Sequence, residues 1–162
     1  MPVTQDIVEA WLRPKAVMRR HLARGKSEPF AFSLLVAFLL LAFVSLWPWL
    51  SRQAVLQPTV PMVQRLVGAG LALLASIPFW YLVAAVARLV AKVLGGQGSF
   101  YTARLALFAA LVGVTPGMLL QGLVAGMIGP GAQLNLVGVL VGVGFIWIWL
   151  SMLMVAESAD AA

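Results

Sequence analysis

The side chains with chemistry to offer are few. Most of them gather around one glycine-rich stretch, Leu94 to Arg104, LGGQGSFYTAR. Arg88 and Lys92 precede it and Arg104 closes it, so cations flank Gly95, Gly96 and Gly98 on both sides. Glycines allow a sharp turn and a close backbone approach, and bases supply counter-charge for a phosphate. The stretch lacks the Lys-Ser/Thr pair of a nucleotide phosphate loop and has no parallel-sheet context. Two readings remain for Arg88, Lys92 and Arg104: convergence on lipid headgroup phosphates, or ordinary anchoring of helix ends by snorkelling bases. A second basic group, Arg19, Arg20 and Arg24, lies in the segment Pro14 to Gly25 and reads either as contact with an anionic leaflet or as a solvated juxtamembrane segment that only sets topology. Lys15/Arg19 and Arg20/Arg24 are like charges four apart, a pattern disfavoured in water. An anionic leaflet relieves it by about 1 kcal/mol per base near the surface.

Catalysis finds little material. Acid–base or nucleophilic chemistry needs a histidine, carboxylate or activated nucleophile near the reacting group. The apolar segments offer Ser33, Ser45, Ser76, Thr115 and Gln121, and no spacing suits a metal. His21 stands alone and reads as a surface residue. With no cysteine there are no disulfides, thiolate metal sites or cysteine nucleophiles. The expectation is therefore a non-enzyme with no cofactor, no metal and no small-molecule substrate.

The 162-residue chain is 62% hydrophobic and only 10% charged, far from a soluble domain's balance. No Asp or Glu occurs from Pro29 to Ala156, and the bases in that window are Arg52, Arg65, Arg88, Lys92 and Arg104. A stretch of this length without carboxylates is a membrane interior. The net charge of +6 is then no nucleic-acid signal, because the bases cluster at the N-terminus and at segment ends. No signal peptide is evident. The first apolar run begins near residue 30, behind Asp6, Glu9 and Glu28.

These groups must be positioned by helices. Residues 4–13 predict a short amphipathic interfacial helix with Thr4 as N-cap, Ile7, Val8, Trp11 and Leu12 on one face, and Asp6, Glu9 and Arg13 on the other. Pro14 breaks it and opens a second, basic piece with no clean apolar face. The first span is Phe30–Leu50, ending in Trp47-Pro48-Trp49 before Arg52, an interfacial pattern. The second is Met62–Val83, kinked at Pro78, with Trp80 and Tyr81 at its far interface and a continuation through Arg88 and Lys92. Ser99 caps the third, Phe100–Ile128, about 43 Å as one helix and interrupted by Pro116-Gly117. Gln133–Val155 is the fourth, and Glu157 and Asp160 form an acidic tail.

The fold class is thus all-α, a polytopic transmembrane helical bundle of four spans, or five if Pro116-Gly117 turns re-entrant. Its divisions are a cytoplasmic N-terminal segment 1–29, a transmembrane domain 30–156 and a tail 157–162. The positive-inside bias places the N-terminus and the glycine loop in the cytoplasm. Four spans return the C-terminus to the same side, although its lack of Lys and Arg argues weakly for the other. Gly113/Gly117, Gly122/Gly126 and Gly138/Gly142 have the spacing that lets helix backbones approach closely, within the chain or against a partner.

Two motifs carry a family likeness. LRPKAVMRR, Leu12 to Arg20, resembles the lead-in of the short prokaryotic Yip (Ypt-interacting protein) domain proteins. AKVLGGQGSF, Ala91 to Phe100, resembles their most recognisable loop. Pro116 sits where the family often carries a proline, and the resemblance spans roughly residues 10–155. It implies a polytopic helical bundle with a cytoplasmic N-terminus. Eukaryotic relatives bind prenylated Rab-type GTPases, but this chain lacks their Asp-Leu-Tyr-Gly-Pro signature and stops one span short of the usual five, so that role is not carried over. The function expected is a scaffold or accessory subunit of the bacterial inner membrane, partnered by lipids and by another membrane protein or itself. The alternative is a small oligomeric channel or transporter. The absence of an intramembrane carboxylate weighs against ion-coupled transport.

Overall fold

The computed structural model describes residues 3–158 and shows seven helices among them: α1 Val3–Leu12, α2 Pro14–Leu22, α3 Glu28–Leu56, α4 Met62–Ala75, α5 Ile77–Val93, α6 Phe100–Met127 and α7 Ala132–Ala156. Four segments are long and apolar enough to cross a bilayer: α3, α4 with α5, α6 and α7. Asp160 lies outside the described residues.

Each long helix starts and bends for local reasons. Ser27 caps α3, its hydroxyl accepting from the Phe30 N–H at 3.4 Å, with Pro29 in the first turn. α3 then runs past the expected end at Leu50 to Leu56, straight through Pro48. The proline leaves the Val44 carbonyl without a helical donor, a defect that tertiary packing tolerates in a spanning helix. The second span is interrupted at Ser76, two residues before Pro78, which stands in the first turn of α5. There the Ser76 hydroxyl donates to the Leu73 carbonyl at 2.6 Å and accepts from the Trp80 indole at 3.2 Å. Ser99 caps α6 in a reciprocal capping box with Thr102, as expected. α6 passes Pro116 unbroken, and the Thr115 hydroxyl donates at 2.7 Å to the Val112 carbonyl that the proline cannot serve. No re-entrant turn forms at Pro116-Gly117. Thr4, expected as a cap, lies inside α1.

α6 is the centre of the bundle. Residues 101–115 are buried on every side except at the half-buried Arg104, and α3 and α7 are its main neighbours. A helix covered all round needs no apolar stripe, which is why its sequence shows none. α4 and α5 are peripheral: α4 buries no residue and α5 buries only Ala84. Trp80 and Tyr81, expected at an interface, instead face inward, Trp80 edge-on to Phe38 at 5.5 Å and Tyr81 edge-on to Phe108 at 5.3 Å.

Close packing on α6 depends on its glycines. A Cβ at Gly122 would collide with the Ser45 carbonyl, and one at Gly126 would collide with Pro48, so α3 lies directly on this glycine face. A Cβ at Gly117 would press on Val141 of α7, one at Gly113 would lie 3.0 Å from the Ala10 methyl of α1, and one at Gly138 would lie 3.1 Å from the Gln121 amide. Gly142 alone of the six faces open space. Gly122→Ala is therefore expected to lower stability by about 1–3 kcal/mol through overpacking. Gly142→Ala should be neutral or slightly stabilising, since alanine is the better helix former. Thermal unfolding of both variants in the same mild detergent checks the contrast.

Candidate functional site

The glycine loop, the α2–α3 turn and the end of α7 meet at one end of the bundle. Gly95 ends α5 with φ of +91°, a conformation that side chains with a Cβ rarely adopt. The chain then passes so close to α7 that a Cβ at Gly96 would lie 2.6 Å from Glu157 Oε2, and one at Gly98 would strike the Ala156 carbonyl. Glu157 is not a solvated tail residue. It is buried, pairs with Arg88 at 2.7 Å, and accepts from the Gly98 N–H at 3.1 Å, while its own carbonyl accepts from the Gln97 N–H at 3.0 Å. Arg88 also donates to the Gly96 carbonyl at 3.2 Å. The glycine triplet thus clasps the end of α7, and Arg88 points inward to that clasp.

Arg104 leans the other way, to Glu28 at the start of α3 at 2.7 Å, with its guanidinium 5.6 Å from the Tyr81 ring centre. The Tyr101 hydroxyl accepts from the Ser27 N–H at 3.1 Å, fixing the α2–α3 turn to α6. Lys92, Arg19 and Arg24 are exposed, and Arg24 stacks over Phe30 at 5.0 Å. Arg20 is taken up by Asp6, at 3.3 Å, and by Glu9. The six bases singled out in the sequence therefore do not converge on one point.

The N-terminal helices form a hairpin docked on α6 and α7. α2 does have an apolar face, because Pro14, Val17, Met18 and His21 are buried at helical spacing. Trp11 of α1 enters between α6 and α7. Its indole donates to the Gly113 carbonyl at 2.8 Å, and its ring fills the space that a Cβ at Gly144 would need. His21, expected at the surface, is buried against Phe30, ring centres 5.4 Å apart. Burial holds its pKa below the usual histidine range. Asp6 opposes that shift, and Arg24 and Arg20 reinforce it.

At the opposite end, bases cap helices. Arg52 donates to the Gly126 and Met127 carbonyls at the end of α6 at 3.2 and 3.3 Å, where Gly129, with φ of +92°, lies against its guanidinium. Arg65 donates to the Gln57 and Val60 carbonyls beyond α3 at 2.9 and 3.3 Å. A cation on the exposed carbonyls of a helix C-terminus complements the helix dipole. Sequence reasoning missed Glu157, His21 and Trp11 as anchoring groups. One signal pointed to the first: Arg88 stands one turn deeper in the second span than Lys92, where a base needs a partner.

Among the described residues no group of His, Cys, Asp and Glu is arranged to hold a metal. The fold and this junction define a polytopic helical membrane protein whose ionic groups tie its helices together. Residues 8–161 match the Yip1 domain, and the chain belongs to that family. No curated protein and no solved structure matches it.

Two predictions follow from this geometry. Glu157→Ala leaves the largely buried Arg88 guanidinium without its carboxylate and should cost about 3 kcal/mol. Glu157→Gln keeps an acceptor for Gly98 and should cost less, both read from thermal unfolding in detergent. His21 is held neutral, so the hairpin's stability is full above the ordinary histidine pKa and falls as pH drops through that range toward the lowered folded value. Hydrogen exchange in α1 and α2 should rise on acidification in the wild type. His21→Phe, which cannot take up the proton, should flatten that rise.

Proposed function

We propose that this protein is a non-enzymatic integral membrane scaffold or accessory subunit of the bacterial inner membrane, of the short prokaryotic Yip type, with its N-terminus in the cytoplasm. One observation carries the reading: the arginines of the spanning helices are engaged in holding the chain's own helices together. Arg88 holds Glu157, Arg104 holds Glu28, and Arg52 and Arg65 hold helix ends. None of these groups lines a shared cavity where a reacting or transported group would sit. The continuous burial of residues 101–115 also supports a scaffold over a pore, because side chains fill the axis where a single-chain channel would run. A channel would have to form between copies.

The surfaces left for partners differ from those the glycine pairs suggest. Five of the six glycines of that pattern meet groups within the chain. The outer face of α4 and α5, with Val63, Val67, Leu71, Leu82, Val86 and Leu89 exposed, is one such apolar flank. A contact between membrane helices there would rest on van der Waals packing against lipid competition.

Extraction in mild detergent is expected to yield a stoichiometric membrane partner or a homo-oligomer. Leu71→Trp with Val86→Trp on the outer flank should weaken that association and leave the unfolding temperature unchanged. Solute or ion flux above the empty-liposome background after reconstitution of the purified protein would overturn the scaffold reading in favour of the channel.

A further inference from the structure

A cleft of about 790 Å³ opens between α2, the turn after it, the start of α6 and the end of α7. Lys15 and Arg19 line it from successive turns of α2. Lys26 joins them from the turn, after Gly25 at φ of +79° has reversed the chain. No ion pair or hydrogen bond of the described residues engages these three side chains. The carboxylates that might have neutralised them are committed: Asp6 and Glu9 to Arg20, Glu28 to Arg104, and Glu157 to Arg88. The cleft therefore concentrates like charge with no counter-ion from the described residues, and like charges four apart on a helix repel.

Leu22, Met154 and Val155 give the cleft an apolar wall beside the bases, and Ser99, Tyr101, Thr102 and Ser158 add polar lining. Met154 opens onto a row of exposed residues on α7, Leu150, Trp147 and Val143. At 100° per residue these four fall on one helix face. A cationic pocket that runs out along an apolar helix face matches a molecule with a charged phosphate and a hydrocarbon chain. We propose that this cleft is a binding site for one anionic phospholipid, its phosphate held by Lys15, Arg19 and Lys26 and an acyl chain laid along the Met154, Leu150 and Trp147 face. The two lysines act as adjustable point charges, while the planar Arg19 guanidinium suits two phosphate oxygens at once. The inference rests on the reading of the protein as a membrane protein in contact with anionic lipid, and it converts that general contact into a defined site.

The test uses the full chain, purified in mild detergent, with phosphatidylglycerol or phosphatidylcholine added and retained lipid counted by native mass spectrometry. Wild type should retain one phosphatidylglycerol in preference to phosphatidylcholine. Arg19→Gln with Lys26→Gln should lower that retention about tenfold or more, whereas Arg13→Gln with Lys92→Gln, which removes equal charge elsewhere, should change it about twofold or less. Equal losses from the two double variants would overturn the cleft and leave only diffuse attraction to anionic lipid. No preference for phosphatidylglycerol in the wild type would overturn the anionic-lipid reading itself. Displacement of the lipid by millimolar inorganic phosphate would also overturn the proposal, because the site would then be one for free phosphate. Matching unfolding temperatures for the variants separate loss of the site from loss of the fold.

Discussion

A charge that leaves water must be met by an opposite charge or by oriented dipoles, and this requirement organises the molecule. The Arg88–Glu157 pair shows how far it reaches. A largely buried guanidinium alone would be costly, so the end of α7 is brought in to it, and the carboxylate oxygen that Arg88 meets, Oε2, takes a second donor. The Gly98 N–H supplies it. That donor is available only because residues 96 and 98 carry no side chain between the loop and α7. The glycine-rich motif is thus explained by an ion pair and a helix end, without any ligand phosphate.

The same logic joins the N-terminal hairpin to the bundle. α6 is buried on all faces over its first half, yet α3, α5 and α7 are only part of its cover. α1 and α2 complete it, using Trp11 against Gly113 and Gly144 and the Val17, Met18 and His21 face of α2. Asp6 and Glu9 hold Arg20 across the hairpin, so its two helices are fastened by charge while their apolar faces are fastened by packing. A histidine kept neutral in that interface makes the docking depend on pH, whereas the α3–α6 contact at Gly122 and Gly126 sets the α6 backbone directly on Ser45 and Pro48.

What was legible in the sequence follows from what is local. The four apolar runs, the Ser99 cap and the Pro14 start of α2 are encoded by neighbouring residues, and each stands where those residues place it. The end of α3 was misjudged because Trp47-Pro48-Trp49 and Arg52 look interfacial from their own neighbourhood. Only the glycine face of α6, more than seventy positions away, lets the helix continue past Pro48. His21 and the stripe on α2 were missed for a related reason. Three bases among nine residues mask a face defined by Pro14, Val17, Met18 and His21, whose burial depends on helices that come much later. Glu157 was read as a tail because nothing near it in sequence is basic, while its partner Arg88 lies in another span.

The two ends of the bundle also differ more than a count of bases suggests. Arg52 and Arg65 are drawn onto helix carbonyls, where their charge offsets the negative ends of helix dipoles. At the loop end Lys15, Arg19, Lys26 and Lys92 have no hydrogen bond or ion pair from the described residues, and all the paired carboxylates are there as well, already matched to Arg20, Arg88 and Arg104. The uncompensated positive charge is therefore confined to one end. A charge asymmetry that remains after internal pairing is the part an anionic leaflet can sense, and it is what the proposed cytoplasmic placement of that end rests on. The C-terminal turn, which carries no base, is tied to that end through Arg88. Its lack of Lys and Arg then gives no reason to place it across the membrane, because the cation at its side comes from α5.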